Sequence, residues 1–177
     1  MLRTFFCLIL AASLFLGGCG YHISGGTNTP SLITGKTIAI PMWRSKSYRP
    51  NLEAVLTGSL IDEFALRSGG RVVAEDVADL LLTGTIDSYV KTAISYTALD
   101  QVKEYRSTMT VNAVLTEKRS QKVLWKGILS YSQDYPAIID PSLPNTIALQ
   151  QNSEEVALQE ISRKLAQQLF QKMSENF

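Results

Sequence analysis

Three long stretches of the chain alternate apolar and polar residues with a period of two, and this pattern narrows the choice of architecture. In LLLTGTIDSYV (80–90), Leu80, Leu82, Ile86 and Val90 alternate with Thr83, Thr85 and Asp87. In EYRSTMTVNAVL (104–115), Tyr105, Met109, Val111, Ala113 and Leu115 fall on one side, and Glu104, Arg106, Thr108, Thr110 and Asn112 on the other. In KVLWKGILSYSQDY (122–135), Val123, Trp125, Leu129 and Tyr131 share a face. Successive side chains of a strand point to opposite faces, so each run buries one face and wets the other. Three such runs in succession describe an antiparallel sheet covered on a single side. Lys118 to Gln121 supplies the turn between the second and third runs, although it contains no glycine.

The cover for that sheet comes from two segments of helical period. Leu52, Val55, Leu56, Leu60 and Phe64 recur at three- and four-residue spacing, after Pro50-Asn51 and before Ser68-Gly69-Gly70. This predicts an amphipathic helix with start and stop signals. Near the C-terminus Leu158, Ile161, Leu165, Leu169 and Met173 form a second apolar stripe, preceded by Asn152 and Glu155 in capping-box spacing. KTIAIPMW (36–43) reads as a short strand that Pro41 confines to an edge or terminal position, and RVVA (71–74) as a brief one. Residues 135–148 hold three prolines and read as a long loop. The expected fold is α+β, a two-layer sandwich with a mainly antiparallel four-stranded sheet and two α-helices packed on one face.

The first 35 residues follow a different logic. Arg3 precedes an apolar run from Thr4 to Leu16, too short for a bilayer-spanning helix, and small residues Gly17 and Gly18 follow. That is the layout of a secretory signal, residues 1–18, although a buried helix end would also accommodate LFLGGC. Cys19 comes next. The other cysteine, Cys7, lies inside the signal, so a cleaved chain keeps no disulfide partner and no second soft metal ligand. His22, the only histidine, is read as a bystander and not as a ligand. Residues 19–35 are rich in Gly, Ser and Thr and read as a flexible tether, leaving 36–177 as a single domain.

Composition excludes further classes. Removal of residues 1–18 takes away only Arg3, leaving 16 basic against 16 acidic residues. A neutral total does not favour nucleic acid or general attraction to anionic membranes. No histidine lies near a candidate nucleophile, and neither G-x-S-x-G nor a phosphate-cradling glycine loop is present. Asp76 and Asp79 read as solvated turn acids, and Glu104 with Arg106 as a surface ion pair. No enzyme, metal or cofactor is expected.

Two resemblances sharpen this. L-G-G-C at 16–19 resembles the bacterial lipobox, which implies a diacylglycerol thioether and palmitate-type N-acylation at Cys19 once the signal peptide is cut. Gly20 stands where inner-membrane lipoproteins carry Asp, which implies the outer membrane, periplasmic face. CGYH (19–22), IAIP (38–41), RPNLEAVLTGSLIDEFALRS (49–68), ADLLLTGTIDSYV (78–90), EYRSTMTVNAVL (104–115) and KVLWKG (122–127) form an ordered series. The series resembles the LPS-assembly lipoprotein family LptE, or rare lipoprotein B.

That resemblance implies a non-catalytic outer-membrane lipoprotein that plugs and helps assemble the LptD β-barrel, one to one. It also implies assistance in inserting lipopolysaccharide into the outer leaflet. A barrel lumen is polar, and the face bearing Glu104, Arg106, Thr108, Thr110 and Asn112 suits one. Lipopolysaccharide phosphates call for cations, and the candidates are Lys103, Arg106, Lys122 and Lys126, with Arg106 and Lys126 singled out. An ordinary solvated lysine or arginine is the competing reading at each position. A pilot lipoprotein for another outer-membrane pore, such as a secretin, is the alternative function.

Overall fold

Pro50 and Asn51 open the first helix as expected. Asn51 takes a left-handed backbone (φ 68°) and its carbonyl accepts from Val55 N, so that α1 runs Leu52–Ser68. This computed structural model describes residues 32–33, 35–68, 71–138 and 144–175. The expected signal peptide, Cys19, His22 and most of the tether lie outside the described residues. Further elements are β1 (Ile38–Ala39), β2 (Arg44–Ser45), a 3-10 turn (Glu75–Val77), β3 (Leu80–Tyr96), β4 (Val102–Glu117), β5 (Lys122–Pro136) and α2 (Thr146–Glu175).

The sheet has five strands, in the order β1-β3-β4-β5 with β2 also on β3. β3, β4 and β5 form an antiparallel meander, whereas β1 and β2 pair parallel to β3. The α+β sandwich is thus as the sequence predicts, with one strand more. The fifth arises because KTIAIPMW does not stay in the ladder. The chain leaves β3 around Pro41, buries Trp43, and rejoins as β2. Gly84 makes room for that detour, since a Cβ there would stand 2.5 Å from Trp43 Cζ3. RVVA contributes only a single parallel bridge, Val72 to Ile38.

Two expected inward residues point outward, and bulges explain both. The β3/β4 register slips between Ile86 and Ser88, after which Tyr89 takes the inner side and Val90 is 53% exposed. The β4/β5 register slips at Leu115/Thr116, leaving Val123 51% exposed while Leu124 packs against the core. One extra residue reverses the alternation beyond it. β3 also continues past Val90 to Tyr96, and the β4–β5 turn closes without glycine because Gln121 takes φ 57°.

Both helical stripes are buried as predicted: Leu52, Leu56, Leu60 and Phe64 from α1, and Leu158, Ile161, Leu165, Leu169 and Met173 from α2, each 0% exposed. Phe64 meets Phe170 edge to face, with centroids 5.2 Å apart. Together with Leu80, Leu82, Ile86, Met109, Val111 and Leu129 of the sheet they make one core. α2 begins at Thr146, so Asn152 is not its cap and the expected loop to residue 148 is shorter. Glu155, inside the helix, instead meets Arg49 across the interface at 3.1 Å.

Candidate binding face of the sheet

The face turned away from the helices is built in rows that cross the strands. Ser88, Thr110 and Ser130 make one row, and Val90, Thr108 and Ser132 the next. Thr108 Oγ1 and Ser132 Oγ are 2.8 Å apart, and Thr110 Oγ1 and Ser130 Oγ 3.1 Å. Cross-strand hydroxyl pairs stabilise a sheet and still offer lone pairs to a neighbour. Next along are Arg44, Thr85, Asn112 and Ile128, then Thr83, Val114 and Lys126. Ile128, 70% exposed, is the largest apolar side chain on this short-hydroxyl surface. Among the described residues no helix covers these rows, so their hydrogen-bonding capacity faces outward.

Arg106 and Lys126, the two cations singled out, share this face but do not converge. Arg106 stands opposite Asp134 and holds it with two hydrogen bonds, Nε to Oδ1 at 2.6 Å and NH2 to Oδ2 at 2.8 Å. The expected partner was Glu104, two positions along the same strand, but the residue directly across the ladder is closer. Glu104 accepts from Ser95 Oγ instead. The fork raises the Arg106 pKa above its ordinary value and holds the Asp134 carboxyl below the usual carboxylate range. Two N–H groups of the guanidinium are used, leaving three to donate elsewhere.

Lys126 lies opposite Val114 without an ion-pair partner among the described residues. Eight residues of β5 separate it from Asp134, about 27 Å along a strand. Arg106 therefore marks one end of the face and Lys126 the other, whereas Lys122, opposite Glu117 beyond the Leu115/Thr116 bulge, alternates to the helix side and Lys103 falls between the Glu104 and Val102 pairs, outside these rows. Arg44, between Arg106 and Lys126 in the ladder, is an exposed cation that sequence reasoning missed. Its signal was there in RSKSYR, but nothing local says that those residues rejoin the sheet.

A second polar assembly was missed altogether, on the helix side where the sheet outruns α1. Arg49 pairs with Glu154 and Glu155, and Lys91 Nζ reaches Glu154 at 3.0 Å. Lys91 also sits 4.3 Å from the Tyr105 ring centroid, and Arg49 5.3 Å from that of Tyr89. Tyr89 donates to Ser107 Oγ at 3.0 Å, and Ser107 in turn to the Tyr135 hydroxyl at 3.3 Å. Burial pulls the Lys91 ammonium down, but its hydrogen bond to Glu154 and the adjacent tyrosines outweigh this and raise its pKa. Burial, chiefly, raises Tyr89. The charged side chains pair with one another across the interface, so this assembly pins α2 to the sheet.

Asp79, read from sequence as a solvated turn acid, accepts from Thr37 N and Oγ1, both at 2.9 Å. Those bonds, the backbone one first, lower its pKa. Among the described residues no three His, Cys, Asp or Glu side chains gather as a metal site.

Known proteins place this arrangement. A solution structure of a lipoprotein B from Nitrosomonas europaea matches with a TM-score of 0.56 at 14% identity, over 88% of this chain and 90% of that one, and shares the fold. Rare lipoprotein B from Shewanella oneidensis aligns at 18% identity over 77% and 93% of the two chains, with a TM-score of 0.49. A minor lipoprotein from Acinetobacter baumannii aligns at 18% identity over 80% and 92%, with a TM-score of 0.45. No curated protein matches the sequence. The LptE lipopolysaccharide-assembly family model matches residues 35–173, most of the chain, and the chain belongs to that family.

Proposed function

We propose that the protein is a non-catalytic lipoprotein, anchored through Cys19 to the periplasmic face of the outer membrane. There it plugs an LptD-type β-barrel one to one, helps it assemble, and assists lipopolysaccharide insertion into the outer leaflet. Family membership supports the lipopolysaccharide-assembly role. The observation that carries the plug reading is the open sheet face, whose hydroxyl rows, Thr108 with Ser132 and Thr110 with Ser130, stand beside Asn112. A barrel lumen is lined with polar groups, and a plug that met it with an apolar surface would leave them unsatisfied. A thioether to diacylglycerol plus an N-acyl chain would hold the protein firmly, where one chain holds marginally.

Depletion of the protein lowers lipopolysaccharide at the cell surface and leaves the barrel misassembled under this reading. Normal levels of both would contradict it. Recovery of a secretin with the acylated protein would favour the pilot role instead. For phosphate contact, Lys126 is the freer cation, and Arg106 keeps three donors beside Asp134. Replacing both, Arg106→Asp with Lys126→Asp, is expected to weaken lipopolysaccharide binding while the barrel still co-purifies. Unchanged binding would remove these two residues from the account.

A further inference from the structure

β5 is the edge of the sheet. It has β4 on one side and, among the described residues, no strand on the other. Along Trp125–Tyr135 the ladder to β4 shows no register shift, and the segment contains no proline. Its main chain makes no backbone bond outside the β4 ladder among the described residues. One side chain caps it locally, Gln133 Nε2 on the Asp134 carbonyl at 3.0 Å. A long flat edge of this kind presents a row of free N–H and C=O groups to any strand that fits it.

We infer that this edge pairs with β5 of a second copy of the chain, antiparallel, about a two-fold axis through Ser130. The side-chain order selects that register. With Ser130 opposite its symmetry mate, Lys126 of each copy faces Asp134 of the other, giving two ion pairs on the open face. On the helix side Trp125 then faces Tyr135, and Leu129 faces Tyr131. Sliding the axis by one residue puts Lys126 opposite Ser132 or Pro136, and Asp134 opposite Leu124 or Ile128, so both charges lose their partners.

The geometry leaves room for the exchange. Lys126 has no ion-pair partner within its own chain among the described residues, and the Asp134 side chain is 44% exposed despite Arg106. A carboxylate offers about four acceptor positions, so Asp134 can hold Arg106 and the second copy's lysine together. An open groove of about 400 Å³ runs between β5 and α2 at this end, lined by Tyr135 and Val156 among others. The paired sheets would be continuous across ten strands. This pairing does not rest on the barrel reading. It describes the chain apart from its partner, and occupation of the same edge by a barrel strand is a separate outcome.

The test is sedimentation of the detergent-solubilised full-length protein over a range of concentrations. The wild type is expected to dimerise with rising concentration. Lys126→Asp alone and Asp134→Lys alone each bring like charges together twice, and each should weaken the dimer at least tenfold. An equal mixture of the two variants restores both ion pairs and should form heterodimers. Ser130→Lys, which sets two ammonium groups on the axis, gives an independent break if Asp134→Lys fails to melt like the wild type. A wild type that stays monomeric, a dimer indifferent to these changes, or a mixture without heterodimers would overturn the inference. So would a wild type that pairs only when the barrel is added and loses it with Lys126→Asp.

Discussion

The two faces of β3, β4 and β5 share a backbone and differ in nearly everything else. The covered face carries Leu82, Ile86, Met109, Val111 and Leu129 under two helices, with the first four of these fully buried. The open face carries Thr108, Thr110, Ser130 and Ser132 in hydrogen-bonded pairs, with cations toward both ends. Burial of large apolar side chains contributes about 1.5–3 kcal/mol each, whereas an exposed hydroxyl pair contributes under about 1 kcal/mol. Stability therefore resides on one face, and the other is free to be specified by a partner.

The sharpest break of that contrast is Phe64→Ala, set against Thr110→Val. The first empties a fully buried site against Phe170 and is expected to cost about 3–5 kcal/mol. The second is expected to stay within about 1 kcal/mol. Denaturant titration checks both, and comparable losses would mean that the open face is also structural.

A smaller effect tests how the covered face is assembled. Gly84→Ala places a methyl 2.5 Å from the Trp43 ring, so the tryptophan or β3 must shift, at about 1–3 kcal/mol. Melting with tryptophan fluorescence reads the loss and the moved ring together.

Smaller again is Glu154→Gln, which deprives Arg49 and Lys91 of their shared, mostly buried carboxylate. About 1–2 kcal/mol is expected, because the groups are partly solvated and Arg49 keeps Glu155. The pH profile adds a sign. Lys91 and Tyr89 both have raised pKa values in the folded chain. Each contributes stability that is present below its unfolded pKa, about 10 to 10.4, and lost as pH rises beyond it. The alkaline loss should be shallower in Glu154→Gln. Asp134 behaves oppositely. Its lowered pKa gives stability present above about pH 4 and lost as pH falls, a loss that Arg106→Gln should reduce.

Much of the covered face was legible in the sequence, because helical and strand periods each report a single buried stripe. Every apolar residue predicted for the α2 stripe is buried. The alternation failed at Val90 and Val123, where a bulge reverses the faces and no glycine or proline announces it. The open face was legible as polar, but its chemistry was not. Arg106 and Asp134 are 28 positions apart, Lys91 and Glu154 63, and only the ladder and the helix docking bring them together. Arg44 returns to the sheet after Trp43 fills the space above Gly84, a packing event with no local signature.

The account turns on the open face being the surface that meets an outer-membrane barrel. A photo-crosslinking residue placed at Thr110 in the full-length, acylated protein tests this in cells. A crosslink to an LptD-type β-barrel is the predicted result. A crosslink to a secretin, or none while the same probe at Asp62 of α1 captures the barrel, would contradict it.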